Sequence, residues 1–247
     1  MNGQKLISYL TSKNFQDEIT DFNPKSWLSK YRKTTIPYLL KMAFFYHGIG
    51  VALMFASSAI ILAFLPDYEV PEVPVSIIMA ITAGPVEESI FFGIPSYLFG
   101  NIYAVLGMGF FWSAVHILNT DVFDINNLAY GSFLFAIPHI FFSLRTWTSG
   151  KGWFAIVFHS SWNIAFLLSY CTLGITTCGV FSPEGIVIDI LVIIIACSLV
   201  SITYLLYKKN TIANYQIKYL ILIPIAVFAI SQVVAAIINI KAFFPAL

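Results

Sequence analysis

Seven stretches of about twenty apolar residues follow one another with only short breaks: 42–65, 75–98, 101–118, 126–144, 152–175, 185–207 and 219–240. A helix crossing the hydrocarbon core of a bilayer needs about 20 such residues. Inside lipid the backbone must satisfy its own polar groups, so stretches of this length read as helices. The spacing predicts an all-α polytopic transmembrane helix bundle of about seven spans. Charged residues make up 10% of the chain, against about 25% in a soluble domain. So few charges cannot cover a water-facing surface. A cytosolic globule, a disordered chain and a nucleic-acid binder are thereby excluded. The net charge of +1 adds no long-range field. Short loops leave no space for a soluble catalytic domain, so any chemistry belongs within the bundle.

Two regions follow. Residues 1–41 mix Leu6, Ile7, Leu10, Phe15, Ile19, Phe22, Trp27 and Leu28 with Lys and Asp. This reads as a cytoplasmic, interfacial amphipathic segment. Residues 42–247 form the transmembrane domain, with a motif core at about 75–175. Orientation comes from Lys and Arg, which collect on the cytoplasmic side. With the N-terminus inside, residues 1–41, Arg145, Lys151, Lys208, Lys209 and Lys218 are all internal, and only Lys241 falls outside. Asp67, Glu69, Glu72, Asp121, Asp124 and Glu184 lie in the outer loops. The chain is expected in the cell membrane if it is prokaryotic. Cys171, Cys178 and Cys197 show no CxxC spacing. Their odd, scattered set argues against a disulfide framework and reads as buried small hydrophobes.

A charge at mid-membrane costs roughly 2.5–3.5 kcal/mol on insertion scales, so intramembrane ionisable residues point to function. Glu87 and Glu88 sit in the middle of the second expected span, in Gly84-Pro85-Val86-Glu87-Glu88-Ser89. Two adjacent carboxylates are too costly for packing alone and suit acid–base work. On an α-helix they point about 100° apart and need not share a pocket. His116 follows in Trp112-Ser113-Ala114-Val115-His116, and His159 in His159-Ser160-Ser161-Trp162-Asn163. His159 and Asn163 are one turn apart on one face. Both offer N–H donors, which could hold a developing oxyanion. His116 could accept a proton or orient a water. His47, His139 and Asp189 have no partner at helical spacing and read as structural or hydrogen-bonding residues. Ser160 has no GxSxG or Ser-Lys context that would make it a nucleophile. Glu88, His116 and His159 have the residue types of a zinc site, without the HExxH spacing of zinc proteases.

The order of these motifs resembles the CAAX-protease and bacteriocin-processing family, which includes the type II CAAX prenyl endopeptidases and prokaryotic proteins of the Abi group. Its motifs, roughly E-E-x-x-x-R, F-x-x-x-H and H-x-x-x-N/D, are matched by Glu87-Glu88, by His116, and by His159 with Asn163. The resemblance covers about residues 80–170. It implies a glutamate-dependent intramembrane endopeptidase that requires no metal and no cofactor. Its substrate would be a peptide or lipidated protein at the bilayer. By the same resemblance Glu87 with His116 activates a water, His159 and Asn163 donate to the oxyanion, and Glu88 supports Glu87. Two positions depart from the pattern: Phe92 stands where the family has arginine, and Trp112 where it has phenylalanine. The missing arginine motivates an alternative, a non-enzymatic membrane partner such as an immunity or assembly subunit bound to other membrane subunits. A proton-coupled transporter is a third reading, without a visible inverted repeat to support it. A single site requires His116 and His159 at similar depth. The third helix is therefore expected to continue past Asn119.

Overall fold

The computed structural model describes residues 34–66, 75–99, 101–115, 132–173, 178–181 and 185–208. These residues are helical apart from one two-residue strand pairing. Helix α1 spans Ile36–Phe64. It starts six residues before the expected 42, because Pro37 sits in the first turn, where a missing N–H costs nothing. Strand β1 (Val75–Ser76) leads into α2 (Ile77–Glu87), and the Ser76 side chain caps α2 by accepting from the Met79 N–H at 2.9 Å. The helix continues through a π-helical turn, Glu88–Gly93, into α3 (Ile94–Leu98). Next come α4 (Ile102–Val115), α5 (Ser132–Thr148) and α6 (Gly152–Thr172). Strand β2 (Cys178–Gly179) pairs in parallel with β1, Val75 facing Cys178, and α7 (Ile186–Tyr207) follows. Helix α5 runs to Thr148 rather than ending near 144.

Three described helices are long and apolar enough to cross a membrane: Ile36–Phe64, Ile77–Leu98 and Ile186–Tyr207. The burial pattern supports a lipid solvent. Phe44, Phe55, Phe64, Val187 and Ile194 are exposed, while Glu88, Arg145 and Asp189 are buried. An apolar exterior around a polar interior is the reverse of a water-soluble domain. The expected stretch 219–240, residues 1–33, and the segment from His116 to Gly131 lie outside the described residues. The expected continuation of the third helix past Asn119 falls there too.

The second helix is central. Helix α6 packs along one side of α2 and α7 along another, while α5 packs against α1, α4 and α6. Close approach of α2 and α6 depends on Gly84 and Pro85. A Cβ at Gly84 would stand 2.6 Å from the Ile156 carbonyl oxygen. Pro85 has no N–H, so the carbonyl one turn earlier, that of Ile81, loses its helical partner. The Ser160 hydroxyl of α6 donates to that carbonyl at 2.6 Å. Ser160 thus holds two helices together. A tight turn joins α5 to α6: Gly150 takes a φ of 75°, and the Lys151 N–H closes back onto the Thr146 carbonyl.

The cysteines differ from expectation. Cys171 is disulfide-bonded, and Cys197 is free and exposed. No CxxC spacing marks Cys171, so composition alone gave no sign of the bond.

Candidate functional site

The two glutamates leave the helix on either side of the His159 ring. Glu88 Oε1 is 3.2 Å from His159 Nδ1, and Glu87 Oε2 is 3.7 Å from His159 Nε2. A π-helical turn begins at Glu88. Such wide turns are frequent at functional sites. Here the turn lies between Pro85 and Pro95, each of which removes one rung of the helical ladder.

The two carboxylates have different surroundings. The Glu88 side chain is fully buried, and that of Glu87 keeps 27% of its surface. Four side chains surround Glu88. His139 Nε2 lies 2.6 Å and the Ser143 hydroxyl 2.7 Å from Oε1, with His159 Nδ1 on the same oxygen. Trp147 Nε1 donates to Oε2 at 2.8 Å. Such pairing is what a buried carboxylate needs, since an unpaired buried charge costs several kcal/mol. Glu87 Oε2 accepts from Trp112 Nε1 at 2.6 Å. Trp112 is an apt departure from phenylalanine, because its indole N–H binds a carboxylate and a phenyl ring cannot. Phe92, at the position of the family arginine, is fully buried and packs edge-on against Trp112, ring centroids 5.5 Å apart.

Sequence reasoning gave His139 and His47 hydrogen-bonding roles, which they have, but no place in this site; it also missed Ser143, four residues beyond His139 and 2.9 Å from its Nε2. His139 lies at the centre of the network, 4.5 Å from the His159 ring, and bonds His47 Nε2 through Nδ1 at 3.0 Å. The available signal was the series His139, Ser143 and Trp147. At i, i+4 and i+8 they form one face of α5, and all three reach Glu88. Of the expected residues, Glu87, Glu88 and His159 are brought together. Asn163 lies one turn beyond His159 on α6 and is half-buried. His116 is outside the described residues. Asp189 is buried in the first turn of α7.

Glu88, His139 and His159 each offer an atom of metal-ligand type, all within 4.8 Å of one another. Those atoms are engaged with each other. Oε1 takes direct contacts of 2.6 and 3.2 Å from the two rings, and Ser143 fills the remaining approach. The three residues could hold a metal ion, and without one they form a hydrogen-bonded network. Chemically, it offers one partly open carboxylate, Glu87, braced by an indole N–H and facing an imidazole.

Residues 69–165 match the family model described as type II CAAX prenyl endopeptidase Rce1-like. The matched stretch contains every residue of this network except His47. No curated protein and no solved structure matches the chain. The match covers 97 of the 247 residues, and over that stretch the chain is similar to the Rce1-like type II CAAX prenyl endopeptidases.

Proposed function

We propose that this protein is an intramembrane endopeptidase in which Glu87 activates a water against a peptide bond of a membrane-associated substrate, a peptide or a lipidated protein. The observation that carries this reading is the asymmetry of the glutamate pair. Glu88 is sealed among four partners, while Glu87 keeps 27% of its side chain accessible with His159 Nε2 3.7 Å away. A general base must reach the proton it removes directly or through one water. Glu87 is open enough for that role, and Glu88 is placed to support it. His116 is assigned as the partner of Glu87 on the water. His159 and Asn163 are assigned to the oxyanion, where one lost donor costs about 10²–10³ in kcat. Seven spans, with the N-terminus cytoplasmic, complete the proposal. The disulfide at Cys171 supports it, since that end of α6 then lies on the outer, oxidising side.

The test is cleavage of prenylated and unprenylated peptides by the detergent-purified protein, wild type beside Glu87→Gln, with and without chelator. The expected result is cleavage that survives the chelator and falls at least about a thousandfold in Glu87→Gln, within the range of a lost general base. Full turnover by a folded Glu87→Gln protein would reject the reading.

A further inference from the structure

Beyond Glu88 the network runs on into His139 and His47, which the reading above does not use. His47 sits on α1 and is buried among the rings of Phe142, Phe158 and Trp162, with centroids 5.5, 4.8 and 4.7 Å away. Its Nδ1 lies 2.7 Å from the Ala43 carbonyl oxygen. A carbonyl can only accept, so the proton of a neutral His47 ring is on Nδ1 and its lone pair on Nε2. That lone pair faces His139 Nδ1 at 3.0 Å. His139 must therefore donate from Nδ1.

The consequence moves along the network. His139 Nε2 is 2.6 Å from Glu88 Oε1. With Nδ1 already protonated, this short contact holds one further proton, on the nitrogen or on the oxygen. The Trp147 indole can only donate, and it points at Oε2. Ser143 stands 2.7 Å from Oε1. Glu88 is thus surrounded by donors, and His159 meets it as a donor through Nδ1. His159 Nε2 is then the nitrogen left to face Glu87, at 3.7 Å, and it donates to an oxyanion when the ring carries both protons as His⁺.

We propose that His47 and His139 are positioning residues. The tautomer of His47 sets that of His139, His139 Nε2 shares one proton with Glu88 Oε1, and Glu88, accepting from His159 Nδ1, fixes which nitrogen His159 turns toward Glu87. This rests on the peptidase reading of Glu87 and His159. A helix that carries none of the catalytic side chains thereby controls the proton pattern of the site. A merely structural His47 would fill space and leave that pattern alone.

Two measurements test it. The full chain has four histidines, so the ring ¹⁵N spectrum of the histidine-labelled protein in detergent is simple to assign by variants. His47 is expected with its proton on Nδ1. The His139 ring signals are expected to move in His47→Phe, which keeps an aromatic ring and removes the acceptor. A His47 ring protonated on Nε2 alone, or His139 signals unmoved in His47→Phe, would overturn the proposal. In the peptide assay His47→Phe is expected to lower kcat about tenfold to a hundredfold with KM retained, the size of effect expected from a slightly misplaced group. His47→Gln, whose amide oxygen can accept from His139, is expected to recover much of the loss. Wild-type turnover in His47→Phe beside an inactive Glu87→Gln would sink the positioning role and leave the peptidase intact. Wild-type turnover in Glu87→Gln would sink the peptidase reading, and the spectrum would still decide the tautomer chain.

Discussion

Trp112 fills the position of a family phenylalanine, yet its N–H stands 2.6 Å from Glu87 Oε2. A hydrogen bond to a charged group contributes about 1.5–3 kcal/mol. Trp112→Phe keeps most of the ring volume and removes the bond. Its expected effect is a loss of about tenfold or more in kcat, with the thermal midpoint little changed; peptide kinetics and a detergent melt check both. Trp147 bonds Glu88 Oε2 where no water can substitute. Trp147→Phe is therefore expected to act on stability as well, by about 1–3 kcal/mol, read as a lower midpoint in the same melt. These residues also show what could be read in advance. The Glu-Glu pair and His159 were identifiable because a charged or polar residue in an apolar run is conspicuous. His139 was read against neighbours on its own helix, whereas Glu88 is 51 positions away. Local spacing does not encode a partner at that separation. The face formed by His139, Ser143 and Trp147 did encode that something polar lay opposite.

Among the described residues most helix ends were legible to within a few residues, with α1 starting six residues early, because an apolar run is nearly as long as the helix it forms. Irregular backbone was less so. Gly84-Pro85 marks a break in the ladder, but the sequence does not say whether the break becomes a kink, a loop or a wide turn. Here α6 resolves it, with the Ser160 hydroxyl taking the Ile81 carbonyl and the missing Cβ of Gly84 admitting the Ile156 backbone. Ser160→Ala is expected to cost about 1 kcal/mol, the net value of one hydrogen bond. Gly84→Leu is expected to cost at least about 1–3 kcal/mol, as overpacking does. It forces α2 and α6 apart and carries His159 away from both glutamates. Activity should fall far more in Gly84→Leu than in Ser160→Ala, even where the melts are close. Equal losses in the two variants would mean that helix spacing does not set the site.

For the molecule as a whole, the charge pattern and the disulfide bear on one question, which face is cytoplasmic. Lysine and arginine set the orientation through short loops near helix ends. Arg145 in the last turn of α5 and Lys151 in the α5–α6 turn lie at one end of α6, while Cys171, at its opposite end, is disulfide-bonded. At about 1.5 Å per residue the 21 residues of α6 separate those ends by about 30 Å, the thickness of the hydrocarbon core. The two ends therefore open onto opposite compartments if α6 spans. Disulfides persist on the oxidising side and basic loops on the other, so both features select the same orientation. With Cys197→Ser as background, a membrane-impermeant maleimide is expected to label Lys151→Cys only after intact cells are opened. Cys171 is expected to label in intact cells once an impermeant reductant has been added. Labelling of Lys151→Cys in unopened cells would reverse the orientation and place Glu87 on a path to the external side. Labelling of both ends from one side would mean that α6 does not cross the bilayer.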